Sequence, residues 1–324
     1  MRTNTFLIAC AAATAMAVTA ACSDTSNSNE TAAPLVPLSE RYTLSSPDSI
    51  PEGVAFDPKE RMFYATSLQG GGIVRIDAEG RESVFHPADN RALVGGTKVD
   101  AERRLLWACA QQVDGGDSRV WLFDLNTAEL TMEFFLGAIF ANGACNDLVL
   151  DSAGIAYVTD PANPNIYRLD AATGTGAIFA TDPRFTDITG LSLGLNGIDI
   201  TADGSALIVA KFALPTLFRV SLPDGDTIAT VALSGDTLPS PDGLAMLAGD
   251  LYAVSGSSVS RVRPNEDFSA GQVVNVPQIS GLSTATVAES GLYVIKSEVV
   301  NFVLMLPLEI PFEIFRVDLD AFGP

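Results

Sequence analysis

Four widely spaced residues carry side-chain oxygens of the kind a hard cation prefers: Glu52, Asn146, Asn196 and Asp242. Two carboxylates and two amides sum to a charge of −2, which would neutralise Ca2+, although other divalent cations would suit the same donors. Ca2+ takes about six to eight oxygen ligands, so four protein donors leave positions for water and a substrate. An incompletely filled coordination sphere is what Lewis-acid catalysis needs. Asp147 follows Asn146 directly and would orient a ligand or water from behind, or would simply close a strand as a turn residue.

What must position these residues is a repeated unit. Each repeat opens with a short apolar strand, at Pro51–Asp57, Gly95–Asp100, Asn146–Asp151, Asn196–Thr201, Asp242–Met246 and Ser283–Val287. A second strand follows in register, as in Met62–Ala65, Leu105–Ala108, Ala206–Val209 and Leu251–Val254. A third mostly repeats an apolar-Arg-apolar step, at Val74-Arg75-Ile76, Tyr167-Arg168-Leu169, Phe218-Arg219-Val220 and Phe315-Arg316-Val317. Alternating β-branched and aromatic residues bounded by Gly, Asp, Asn and Pro read as antiparallel strands. Units recurring every 41 to 51 residues predict an all-β fold, a six-bladed β-propeller of four-stranded antiparallel blades. An open double-sheet sandwich is the competing architecture. The sixth unit runs out of chain after its third strand, so Arg41–Leu44 is expected to supply the missing outer strand and close the ring. Aligning the openings puts Glu52, Gly95, Asn146, Asn196, Asp242 and Ser283 at one mouth of the central channel.

Composition narrows the class of function. Of 324 residues 39 are acidic and 19 basic, a net charge of −20 that opposes binding to nucleic acid or to an anionic bilayer. With one His, His86, a Ser-His-Asp triad or a multi-His zinc site is disfavoured. His86 is expected at the surface, in the connection between the first two blades. Gly190-Leu191-Ser192-Leu193-Gly194 matches the serine-hydrolase elbow pattern but leads straight into a strand rather than a helix. Asp114-Gly115-Gly116-Asp117 lacks EF-hand spacing and reads as a hairpin connection.

The first residues read as an address. Residues 1–21 form a short positive start and an apolar Ala-rich run, a secretory signal. Thr19-Ala20-Ala21-Cys22 resembles a bacterial lipobox, with Thr where Leu is usual, so Cys22 is the expected lipidation site. Residues 22–38 are a flexible linker, and residues 39–324 the propeller. The expected location is the bacterial cell envelope outside the cytoplasm, membrane-held only through the lipid, or secreted if cleavage is ordinary. A monomer is expected. Cys109 and Cys145 remain after processing and either pair in that oxidising compartment or stay as buried hydrophobes.

The motifs Pro51-Glu52-Gly53, Asn146-Asp147, Asn196-Gly197 and Pro241-Asp242-Gly243, in order at blade spacing, resemble the senescence marker protein/gluconolactonase family. That family includes regucalcin, with diisopropyl fluorophosphatase and the paraoxonases as more distant relatives. The resemblance spans the chain from about residue 40 to its end. It implies that Glu52, Asn146, Asn196 and Asp242 hold a divalent metal, usually Ca2+. It also implies that Asp242 acts as general base or nucleophile in hydrolysing a small-molecule lactone or related ester. Ala144 stands where regucalcin-like members carry a substrate-contacting Arg, which argues against sugar lactones. Leu195, Cys145 and the loop from Phe134 to Phe140 suggest a more apolar pocket. The alternative function is a non-catalytic binding propeller with a structural calcium.

Overall fold

A computed structural model describes residues 35–45, 49–113 and 118–324. The signal segment, Cys22, most of the linker and the Asp114–Asp117 connection lie outside the described residues. Six separate sheets follow one another along the chain, each with four antiparallel strands from its inner strand outward. The first blade is Pro51–Asp57, Met62–Ser67, Ile73–Ile76 and Glu82–His86; the sixth is Leu282–Ala288, Gly291–Lys296 and Glu313–Arg316. The sixth is completed by Arg41–Thr43, which pairs antiparallel with Glu313–Phe315 and places Tyr42 opposite Ile314. The two ends of the propeller are thereby joined, as the sequence predicts. The described C-terminal part also contains a helix, Val299–Val303, between the second and third strands of this blade.

Six hydrophobic clusters hold the ring, each drawn from two neighbouring blades. Tyr42, Phe63 and Tyr293 pack across the closing junction between blades six and one, with Phe63 5.2 and 5.0 Å from the other two rings. Trp107 and Trp121, both essentially inaccessible, fill the two sides of blade two. A lone sheet exposes two faces, and stacking in a ring buries both.

Blade five adds a strand that the repeats do not announce: Ala232–Gly235 pairs parallel with the outer strand Ala270–Pro277. The third-strand arginines form no ladder. Arg75, Arg168 and Arg219 are half-buried and Arg316 is exposed, whereas Arg261 is buried and donates to the Gly323 and Pro324 carbonyls.

Candidate metal centre

The innermost strands are interrupted where the channel residues sit. Register shifts fall between Pro51 and Val54, Val94 and Thr97, Leu195 and Ile198, and Leu282 and Ala285, which bracket Glu52, Gly95, Asn196 and Ser283. In blades three and five the regular strand starts only at Leu148 and Leu244, just after Asn146-Asp147 and Asp242-Gly243. Such bulges turn a side chain out of the alternation of the strand, here towards the channel.

Six backbone carbonyls close the ring from blade to blade. The Glu52 carbonyl accepts from Ser283 Oγ (2.8 Å), that of Gly95 from Thr66 Oγ1 (2.7 Å) and that of Asn146 from Gly96 N (3.2 Å). The Asn196 carbonyl accepts from Thr159 Oγ1 (2.6 Å), that of Asp242 from Gly197 N (2.7 Å) and that of Ser283 from Gly243 N (2.9 Å). Every blade junction is thus bonded at this level, through the carbonyls of the six residues that the aligned openings single out. Glycine permits the approach: a Cβ on Gly197 would lie 2.3 Å from the Asp242 carbonyl oxygen, and one on Gly53 2.4 Å from that of Gly95.

With the carbonyls engaged in bonding the ring, the side chains are left for a ligand. Glu52, Asn146, Asn196 and Asp242 line one cavity of about 800 Å3 that opens to solvent, and each of the four is half-buried. Glu52 Oε2 and Asn146 Oδ1 are buried without a hydrogen-bond partner among the described residues. Unsatisfied buried acceptors are costly, and a cation would satisfy them. Among the described residues no three His, Cys, Asp or Glu side chains form a metal cluster. The set that converges is half amide, and its two carboxylates and two amides fit a hard divalent ion rather than a soft one.

The electrostatics agree with that donor set. Burial pushes the Asp242 carboxyl up to about 7, against a hydrogen bond from the Asn196 side chain that lowers it, and the Asp147 charge adds to the rise. Glu52 is raised well above the usual carboxylate range, first by burial, then by the charges of Asp242 and Asp147. Asp147 is buried; its Oδ1 accepts from Leu148 N at 2.8 Å, while its Oδ2 has no partner among the described residues. Burial raises its carboxyl too, opposed by the positive charge of Lys98.

Cys109 and Cys145 are joined in a disulfide with their Cα atoms 5.4 Å apart, and both line the cavity. The other apolar contributions differ from expectation. Phe134 and Leu136 are buried between blades two and three, with Phe134 stacked on Trp107, and Leu195 is inaccessible between blades three and four. The walls come instead from Leu68, Leu93, Leu191, Phe212, Leu282 and the Val299–Val303 helix. His86 is half-buried rather than exposed. It ends the outer strand of blade one, packs on Trp121 and Phe123 at 5.8 and 5.0 Å, and burial lowers its pKa. Ser192 lines the cavity, but a strand, Leu195–Ile200, follows it where an elbow needs a helix.

Glu298 has no signal in the sequence. It is 1% exposed, lines the cavity, holds a left-handed backbone at φ 60°, and accepts from Asn301 Nδ2. Its Oε1 lies 3.8 Å from Lys296 Nζ, and it fits only because Gly281 opposite has no Cβ, which would stand 2.1 Å from it.

Residues 49–295 match the SMP-30/Gluconolactonase/LRE-like region, and the chain belongs to that family. Among curated proteins none matches significantly. Solved structures share the fold. The major Malassezia sympodialis allergen Mala s 1 aligns with a TM-score of 0.73 at 16% identity, covering 89% of this chain and 98% of its own. A gluconolactonase from Xanthomonas campestris gives 0.63 at 19% identity, covering 86% and 89%. Regucalcin, a calcium-binding protein from Agrobacterium tumefaciens, gives 0.62 at 16% identity, covering 88% and 96%.

Proposed function

We propose that the protein is a divalent-metal-dependent hydrolase of lactones or related esters. The observation that carries this reading is that Glu52, Asn146, Asn196 and Asp242 all line one cavity, with two of their oxygens buried and unpartnered. Membership of a family that takes in gluconolactonases supports it. These four residues would hold Ca2+ or a similar ion, which when bound supplies Lewis-acid polarisation of the scissile carbonyl.

The chain's own groups account for the rest. Asp242 takes the proton of the attacking water and returns it to the alkoxide as the acyl C–O bond breaks, or attacks the carbonyl carbon itself, displacing the alkoxide to leave an anhydride that water then hydrolyses. The Asn196 side chain, bonded to Asp242, fixes the orientation of that carboxyl. The charge of Asp147 raises the proton affinity of Asp242. Apolar walls exclude water and strengthen each electrostatic interaction at the floor.

We further infer that the protein works outside the cytoplasm, held to a membrane by lipid at Cys22. The Cys109–Cys145 disulfide supports an oxidising compartment. Turnover of a lactone and aryl-ester panel, with and without chelator and beside Asp242→Asn, tests the catalytic reading. Hydrolysis lost on chelation and in the variant is the expected result. Absent turnover, with Ca2+ still raising the melting temperature, would leave a binding propeller with a structural ion.

A further inference from the structure

The floor of the cavity holds the metal donors, but its walls are of another kind. No Lys or Arg is among the described residues that line it. Its polar wall groups are few: Asn301 donates to Glu298 and Ser280 to Glu309, which leaves Gln111, Ser192 and the unpartnered Oε1 of Glu298. A polyhydroxylated substrate would find only these few partners for the hydroxyls it desolvates, which is costly for each one left unpaired. The apolar side chains, by contrast, are unusually open. Leu191, Val300, Val303 and Leu304 line the cavity while remaining 72%, 59%, 67% and 61% exposed, and Met305 beside them is 94% exposed.

This rim is out of character with the rest of the chain. From Val299 to Leu308 there is no charged residue, in a protein of net charge −20. Large aliphatic groups gathered at one opening mark a surface that a ligand covers, because water otherwise meets them at a free-energy cost. Their arrangement fits one occupant better than a general partner: the rim is continuous with the cavity wall, and the wall leads down to Glu52 and Asp242.

We propose that this wall is an acyl-chain site, and that the substrate is a neutral lactone or ester carrying an unbranched aliphatic tail. The tail lies against Leu191, Val300, Val303 and Leu304 while the carbonyl reaches the polar floor. This deepens the hydrolase reading and rests on it for the reacting group, but the tail site has a binding readout of its own.

The test uses a series of p-nitrophenyl esters from two to ten carbons, with γ-dodecalactone, γ-butyrolactone and gluconolactone alongside. The expected kcat/KM rises with chain length by up to about fourfold per methylene until the cavity is filled. Val300→Asp and Leu304→Asp, both on exposed side chains, remove at least tenfold of that gain while circular dichroism stays unchanged. Val84→Asp, at an exposed position on the outer strand of blade one, retains the wild-type series.

Calorimetric titration of Asp242→Asn reads binding without turnover, and γ-dodecalactone should bind at least tenfold more tightly than γ-butyrolactone. Turnover with a flat series, or with gluconolactone preferred, overturns the acyl site and leaves the hydrolase standing. Binding of γ-dodecalactone that Val300→Asp abolishes, with no ester or lactone hydrolysed by the wild type, keeps the acyl site and removes the hydrolase. Neither binding nor turnover overturns both.

Discussion

Asp242 makes the metal-free protein less stable as pH rises, and Ca2+ should reverse that. Its carboxyl is raised from 3.8 to about 7 by burial, so the folded chain holds a proton that the unfolded chain has released. A raised carboxyl favours the folded state only where both states are protonated, and its ionisation is charged against folding as pH climbs from about 4 to 7. Between pH 5 and pH 8 this one group removes about 2.5 kcal/mol. With an unfolding entropy of roughly 2.1 cal/mol/K per residue over the about 290 residues of Val36–Pro324, the melting temperature falls by about 4 °C. Glu52, raised in the same direction, deepens the fall. Scanning calorimetry on chelated protein at both pH values measures it, and Asp242→Asn isolates the group by flattening the slope. Ca2+ competes with the proton, so its stabilising effect should be larger at pH 8 than at pH 5. A wild-type slope equal to that of Asp242→Asn, or a Ca2+ effect independent of pH, would refute the reasoning.

Other perturbations read the parts of the architecture separately. Gly197→Ala places a Cβ 2.3 Å from the Asp242 carbonyl and should cost about 1–3 kcal/mol in denaturant titration while weakening Ca2+ binding. Glu52→Gln keeps the shape but removes half the carboxylate charge, and calorimetric titration should show Ca2+ affinity falling at least tenfold. Reducing Cys109–Cys145, which closes a 36-residue separation, should lower stability by roughly 3–4 kcal/mol in chemical denaturation. Arg104→Ala strands the fully buried Asp57, whose Oδ2 lies 2.6 Å from Arg104 Nη1, and should cost about 3–5 kcal/mol.

The ring was readable in the sequence because it is written six times. A glycine follows Glu52, Gly95, Asn196 and Asp242 because neighbouring backbones come within contact there, so the sites announce themselves at blade spacing. The walls were not readable, since they come from features present once. Glu298 depends on a left-handed backbone and a glycine opposite, and the helix after it is only five residues long. The fifth strand of blade five pairs parallel with residues 38 positions away, a partnership that local alternation does not encode. His86 was misplaced because a bulge between Ile73 and Val74 carries the outer strand on to it. Phe134, Leu136, Ile139, Phe140 and Leu195 are apolar because they pack at blade junctions, and composition alone does not separate that from lining a pocket.

The central claim is that one ion at Glu52, Asn146, Asn196 and Asp242 is what hydrolysis requires. Its most direct test is titration of Ca2+ into chelated protein while ester turnover and bound calcium are followed together. Activity should return along the binding curve and saturate at one ion per chain, with neither signal in Asp242→Asn. Turnover that survives chelation, or calcium bound in full with no turnover on any lactone or ester, would contradict it.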